Sequence, residues 1–415
     1  MDTELFPMRQ RDLHRYHTLR LVLERRIAVP QAATSLGLSP RHVWRLTARL
    51  QAGGRRALMH GSRGQPSPRR LPPALQARVL ALARGRYAGL NTTHLTEKLQ
   101  TDEGLAVSRP TVYRLLRAAG VARSRRRRPP RHRARRLRKA QEGLLLLWDG
   151  SPHAWLQARG PTGCLVGAMD DATGRLLPGA AFVPAEDTVS YLRLLRTLVA
   201  TCGIPVSLYM DRHGIFRRND PAWTIEEELR GRQDPTQVGR ALEGLGIEPI
   251  YALSPQAKGR IERLWGTLQD RLVAELRLAG IATLEAATAF LPAFTAQFNA
   301  RFARPAVETA PAWRPVPAGV DLERVCSLYT EATVLNDNTV HVDGTTLQIP
   351  PGPGGRGYAK AHVEVRQLLE GSWRVYSHDQ LIATAAGTGP PHRSLPRRKY
   401  SAGRSRGPHP SRAPW

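Results

Sequence analysis

Seventeen consecutive residues, 123–139, hold eleven arginines and lysines and no acid, and no compact fold buries such a stretch. Like charges repel, Pro129 and Pro130 interrupt any helix, and too little of the run is apolar to repay its ordering entropy. The chain must therefore fold as separate parts on either side of a basic arm. At 415 residues, 41% of them hydrophobic, it has enough core for several domains. The total charge of +28 is unequally divided: residues 1–122 carry a net +14, the arm +11, residues 140–390 carry −4, and residues 391–415 carry +7. Cations concentrated in this way imply a polyanionic partner, nucleic acid above all. The arm is read as tracking phosphates, the alternative being a solubilising linker.

Other classes are excluded quickly. Three scattered cysteines (Cys164, Cys202, Cys326) make neither a disulfide framework nor a CxxC zinc site, and His14 and His17 have no cysteine partners nearby. The N-terminus carries acids and no apolar signal segment, and the longest leucine run, at 144–147, is too short to span a bilayer. A cytoplasmic protein with no membrane partner is expected.

Residues 18–50 read as three helices. Pro30-Gln-Ala-Ala-Thr-Ser-Leu36 is followed by Gly37-Leu-Ser39-Pro40 and Arg41-His-Val-Trp-Arg-Leu46. Gly37 suits a left-handed turn, Ser39 a helix cap and Pro40 the first helical position. Ala33, Leu36, Val43, Leu46 and Leu50 recur at helical spacing and would fill the angle between two helices. This is a helix-turn-helix pattern, whose second helix enters the major groove and would present Arg41, His42 and Arg45. The alternative is an ordinary helical hairpin. A similar unit follows at residues 72–85, 92–99 and 108–117, with Ser108 before a helix whose Arg109, Thr111 and Arg114 would face DNA. Residues 61–70 between the units form a Gly/Pro/Arg linker of the kind that tracks a minor groove.

Beyond residue 137 the pattern becomes α/β. Residues 144–148 are a continuous apolar run, as in a strand buried on both faces, ending at Asp149. Apolar strands at 164–169 and 206–210 end in Asp170-Asp171 and Asp211, a third at 179–183 lies between them, and 188–200 is an amphipathic helix. Ser254 and Pro255 open another helix, on which Ile261, Leu264, Leu268 and Leu272 pack inward and Glu262 lies off the stripe. Two aspartates at strand ends with a glutamate on a helix suit two Mg²⁺ ions, hard cations that prefer carboxylate oxygen and substrate phosphate. A further helix at 283–302 reads as core packing. Residues 325–385 alternate in short β segments with a hairpin signal at Asp343-Gly344, from which a small barrel follows.

Four segments carry a resemblance to a known family: Asp149-Gly-Ser-Pro-His-Ala-Trp-Leu156, Asp170-Asp-Ala-Thr-Gly174, Tyr209-Met-Asp-Arg-His-Gly-Ile-Phe216 and Ser254-Pro-Gln-Ala-Lys-Gly-Arg-Ile-Glu-Arg-Leu-Trp-Gly-Thr-Leu-Gln-Asp270. Over residues 15–350 the chain resembles bacterial insertion-sequence transposases of the DDE type with an integrase-like core, the ISNCY family most of all. The resemblance implies an RNase H-like catalytic core, tandem helix-turn-helix units that bind terminal inverted repeats, and a small β-rich domain. It implies Asp149, Asp211 and Glu262 as catalytic residues and ligands of Mg²⁺, with Mn²⁺ able to substitute. It places Lys258 on DNA near the scissile phosphate; the charge run itself, apart from the resemblance, puts Arg125, Arg126, Arg127 and Arg128 of the arm on DNA. The partners implied are double-stranded DNA, as inverted repeats and target, and further copies of the chain in a dimer or higher assembly on the nucleoid. Asp170 and Asp171 stand as rival carboxylates. The gap from Asp211 to Glu262 is long for the family and fits an insertion at 217–240, read as a loop plus a short helix.

The expected fold class is therefore multi-domain: all-α tandem helix-turn-helix units, an α/β RNase H-like core and a small C-terminal β-barrel. The boundaries are 1–60 (helix-turn-helix), 61–71 (basic linker), 72–122 (second helix-turn-helix or winged unit), 123–139 (arm), 140–310 (catalytic core), 325–385 (β-rich domain) and 388–415 (basic, disordered tail). The expected function is Mg²⁺-dependent strand cleavage and strand transfer at transposon ends. The alternatives are an inactive transposase-derived repressor and an RNA-processing nuclease of RNase H type.

Overall fold

The computed structural model describes residues 10–59, 70–121, 136–218, 223–252, 259–387 and 389–392. The chain divides into two compact units, Met1–Leu80 and Ala81–Trp415.

The first unit contains α1 (Gln10–Leu23), α2 (Val29–Leu36) and α3 (Pro40–Gly53), and enters α4 (Pro73–Arg84). Leu19, Ala32, Ala33, Val43, Leu46, Leu50 and Leu58 form one buried cluster. Gly37 ends α2 with φ 61°, a left-handed value that costs glycine nothing. Ser39 caps α3, its hydroxyl accepting the amide of His42 at 3.3 Å, with Pro40 next. The two-helix turn read from the sequence is thus in place.

The larger unit opens with α5 (Thr92–Thr101) and α6 (Arg109–Ala118). Because the division falls inside α4, these helices belong to the same unit as the α/β layers that follow.

The central sheet is built from β1 (Leu146–His153), β2 (Gly163–Asp170) and β3 (Ala181–Val183), then α7 (Thr188–Cys202), β4 (Ser207–Met210), α8 (Ile225–Arg230), α9 (Gln237–Gly244) and β5 (Glu248–Tyr251). The strand order is β3-β2-β1-β4-β5, with β1 antiparallel to β2 and parallel to β4. Three antiparallel strands followed by two parallel ones give the RNase H-like α/β core. Alternation along the strands sorts side chains between two cores. Leu146, Trp148, Val166 and Leu208 face α7 and α9. Leu147, Leu165 and Met169 face α10 (Gly259–Leu278) and α11 (Leu284–Phe302).

One boundary differs from expectation. β1 does not stop at Trp148 but continues through Asp149 to His153, because β2 supplies a ladder partner for every residue as far as Gly163. Asp149 is therefore a mid-strand residue. The 217–240 insertion does contain a short helix, α8. Its Glu227 carboxylate is excluded from solvent and takes the Thr224 and Asp234 amides and the Arg218 guanidinium.

The C-terminal part contains α12 (Leu322–Val325), β6 (Leu328–Thr333), β7 (Thr339–Val342), β8 (Thr345–Gln348), β9 (His362–Gln367), β10 (Trp373–Ser377) and β11 (Gln380–Ala385). The Asp343-Gly344 hairpin joins β7 to β8, both residues at positive φ. The expected closed barrel is not formed among the described residues: β11-β10-β9-β6 is an open antiparallel sheet and β7-β8 a separate hairpin. Two contacts explain the openness. The Gln237 side chain of α9 donates to the Tyr329 carbonyl at 2.6 Å and accepts its amide at 2.9 Å, occupying the free edge of β6. The apolar face of the sheet (Leu328, Val363, Val365, Trp373, Val375) joins the core under α7 and α9 rather than enclosing one of its own.

Candidate active site

The parallel register pairs Leu146 with Leu208 and Leu147 with Tyr209. Continued two residues past the last observed pair, the same register would bring Asp211, just beyond the end of β4, level with Asp149 of β1. Both aspartates are half-buried and follow the parity of Leu147 and Tyr209, toward α10. Asp211 ends β4 by accepting the His213 amide on its own Oδ1 at 3.0 Å. The loop beyond is pinned by buried Phe216, which meets Tyr191 edge to face at 4.6 Å.

Trp265 of α10 donates its Nε1–H to Asp149 Oδ2 at 3.0 Å. Its ring lies over Gly167, the residue paired with Asp149, where a Cβ would come within 3.1 Å of the indole. One turn on, Gln269 donates to the Ser151 hydroxyl at 3.1 Å. Glu262 sits one turn before Trp265 and two turns before Gln269, on the helix stripe that tracks β1, and its side chain is exposed.

Asp149 thus lies within β1, Asp211 just past the end of the neighbouring β4, and Glu262 exposed on α10. Among the described residues no group of three or more His, Cys, Asp and Glu is assembled to hold a metal. The donor chemistry nonetheless fits a hard divalent cation: two carboxylates on neighbouring strands, with a third on the helix that crosses them. On the opposite face, Glu186 accepts the Tyr191 hydroxyl at 2.7 Å, and a Cβ at Gly150 would collide with its carboxyl. Burial, and then Glu186, push the Cys164 thiol up to about 12, so it is no nucleophile at neutral pH.

Asp170 and Asp171 are structural. Asp170 is fully buried and accepts the Gly143 amide and both the amide and hydroxyl of Thr173. Asp171 holds Arg136 at 2.6 Å, the Lys139 amide at 2.9 Å and Arg260 of α10. Burial alone would raise its carboxyl, but Arg260, the Lys139 amide and Arg136 together hold it below its ordinary value. The end of the basic arm is thus bound to the core, Arg138 also donating to the Asp171 carbonyl at 2.6 Å. Arg136 and Arg138 are thereby tied to Asp171, while the Lys139 side chain is exposed.

On α3, Arg41 and Arg45 are exposed and His42 half-buried. On α6, Arg109 and Arg114 are exposed, Thr111 meets the Ser108 hydroxyl at 2.9 Å, and Arg114 donates to the Pro110 carbonyl. Arg125, Arg126, Arg127, Arg128, Lys258, the Ser254-Pro255 cap, the 61–69 linker and the tail from 393 lie outside the described residues. Sequence reasoning passed over Trp265, although it stands three residues after Glu262 and is an apolar residue with a donor that burial obliges to find a partner. No helix among the described residues is long and apolar enough to cross a membrane.

No protein-family model matches the chain. A protein of Sinorhizobium fredii (strain NBRC 101917 / NGR234) named "Putative transposase y4bF" is 35% identical over 394 residues, covering 92% of this chain and 84% of that protein. The "Transposase for insertion sequence IS1202" of Streptococcus pneumoniae is 30% identical over 324 residues, covering 69% of this chain and 68% of that protein. Among solved structures, the HTLV-2 integrase catalytic core domain in complex with magnesium (dimeric form) aligns at 15% identity and a TM-score of 0.24, over 36% of this chain and 83% of that one, too slight a likeness to argue from.

Proposed function

Because the chain belongs to the transposase family, we propose that it binds the ends of its element and catalyses DNA strand cleavage and strand transfer with Asp149, Asp211 and Glu262. The observation that supports this is the parallel register of β1 and β4, which, continued past Tyr209, would bring Asp211 level with Asp149, together with the Trp265–Asp149 hydrogen bond from the helix bearing Glu262. Asp149 and Asp211 would hold divalent metal, Mg²⁺ or Mn²⁺, with Glu262 completing the set. Such an ion, when bound, activates an attacking oxygen and stabilises a leaving one.

The chain's own residues orient and exclude. Trp265 fixes one oxygen of Asp149 and the His213 amide fixes one oxygen of Asp211, so neither carboxylate needs to reorganise as DNA arrives. Water attacks the phosphodiester at the transposon end, forming a P–O bond as the P–O3′ bond breaks and leaving a 3′-hydroxyl. That hydroxyl then attacks a target phosphodiester, exchanging one P–O bond for another with no covalent enzyme intermediate. The cations of α3, α6 and residues 123–135 would hold double-stranded DNA, with Arg41, His42, Arg45, Arg109, Thr111 and Arg114 facing the grooves and Lys258 near the reacting phosphate. Two ends and a target call for at least two copies of the chain.

The test is cleavage of a labelled duplex carrying the element's end, in Mg²⁺. Asp149→Asn should lose cleavage and joining while keeping end binding and melting temperature. Retained cleavage would sink the site assignment. Binding without nicking by the unaltered protein would indicate a repressor, and preference for an RNA–DNA hybrid would indicate an RNA-processing nuclease.

A further inference from the structure

The two helices that would read DNA repeat one pattern. Counted from its capping serine, α3 runs Ser39-Pro-Arg-His-Val-Trp-Arg-Leu46 and α6 runs Ser108-Arg-Pro-Thr-Val-Tyr-Arg-Leu115. Four residues after the serine stands a valine with no exposed surface, Val43 or Val112. Five residues after it stands an aromatic side chain turned to solvent: Trp44, 62% exposed, and Tyr113, 46% exposed. Six residues after it stands an arginine, Arg45 or Arg114. The valine packs the helix to its neighbours, while its successor is turned to solvent.

A single exposed aromatic needs no explanation. The same aromatic at the same position of two independent helices does, because nothing in either core asks for it. Its surroundings select the partner. Trp44 stands three residues after Arg41 and Tyr113 four residues before Arg117, spacings that put each ring beside an arginine on the same helix face. Neither helix carries an acidic residue. The other exposed apolar pair, Ile225 and Leu229 on α8, lies among Glu226 and Glu228, which suits a protein and repels a phosphate backbone. An apolar ring beside an arginine, on a helix that would enter a groove, matches a major-groove edge that offers a methyl group near a phosphate. In DNA that is the 5-methyl of thymine.

We infer that Trp44 and Tyr113 determine the sequence specificity of end binding, each packing its ring on thymine methyl groups. The inference rests on the end-binding reading above and extends it to residues and a base. The uracil-for-thymine exchange tests it, since it deletes that methyl and nothing else.

Binding of the full chain would be measured on duplexes spanning the element's ends, with each thymine replaced in turn by deoxyuridine, beside an unrelated duplex. Replacement at one or two thymines per helix should weaken binding about fourfold each, the value of one buried methyl-sized group. Trp44→Gln and Tyr113→Gln should each lower end affinity about tenfold, the cost of one lost base contact. They should leave the unrelated duplex unaffected and abolish the matching uracil effects. Tyr113→Phe should keep them.

End binding that ignores every uracil overturns the inference while leaving the end-binding reading intact. So does a Tyr113→Phe variant as weak as Tyr113→Gln, which would point to the hydroxyl. Unchanged DNA affinity with an altered oligomeric state would assign both rings to contacts between copies. No preference of the unaltered chain for end DNA defeats the underlying reading itself.

Discussion

Trp265 serves Asp149 in two ways, as a donor to its Oδ2 and as a plate over the paired Gly167. Trp265→Phe keeps a ring there and removes the donor. Single-turnover cleavage of end DNA should slow about tenfold, the worth of one hydrogen bond to a charged group, with DNA affinity unchanged. A parallel fall in affinity would mean that Trp265 binds DNA instead of positioning Asp149. Asp171 makes a prediction of the opposite kind, about stability. Its carboxylate is fully buried against Arg260, Arg136 and the Lys139 amide, and Asp171→Asn should cost about 3 kcal/mol by leaving buried charge uncompensated. Because its folded pKa lies below the ordinary 3.8, this contribution is present in full above that value and is lost as pH falls through the lowered folded value. Urea melts of the two proteins should therefore differ widely at neutral pH and converge in strong acid.

At the scale of elements, α5 is bolted to α10 by charge. Glu97 takes both ends of the Arg271 guanidinium at 2.7 Å, His94 meets Glu275 at 2.7 Å, and Lys98 meets it at 2.9 Å. Burial would raise the Glu275 carboxyl, but His94 and Lys98 hold it below its ordinary value, so it is charged at neutral pH. The same Asn91 that caps α5 donates to Asp270. Glu97→Ala strands the largely buried Arg271. Amide exchange should rise across α5 and stay unchanged in β1 and β2; uniform acceleration would mean global destabilisation instead. Periodicity and caps made α5 and α10 legible one at a time. Their docking was not legible, because it depends on pairs such as Glu97 and Arg271, 174 residues apart, whose meeting no local pattern encodes. The length of β1 was hidden for a related reason: Asp-Gly-Ser-Pro-His reads as a loop until β2 offers it a ladder.

At the level of the molecule, the α/β core and the C-terminal sheet share one buried cluster. Leu146, Leu195 and Val238 share a cluster with Leu328, Val365 and Val375, and Arg240 donates to the carbonyls of Val325 and Ser327. A chain ending at residue 320 would leave the α7–α9 face uncovered. It should lose its cooperative thermal transition, followed by circular dichroism, while the chain ending at 392 keeps it. A sharp transition in the shorter chain would show the sheet to be a separate domain after all. A core of slightly negative charge that must approach phosphates also accounts for the concentration of cations elsewhere in the chain.

Elements that short-range physics specifies are legible along the chain. These are the capped helices of the N-terminal unit, the apolar strands ending near acids, the Asp343-Gly344 hairpin, and the segregation of charge that pointed to DNA. Asp149, Asp211, Asp170 and Asp171 all stand at the ends of apolar runs, and it is the resemblance to a known family that prefers the first two. Long-range contacts alone settle that β1 runs parallel to β4, that Trp265 reaches Asp149, that Asp171 binds Arg136 and Arg260, and that Gln237 occupies the edge of β6. Each of these depends on which residues distant in the chain come into contact. That choice is made by the packing of whole faces, where burial outweighs any local preference.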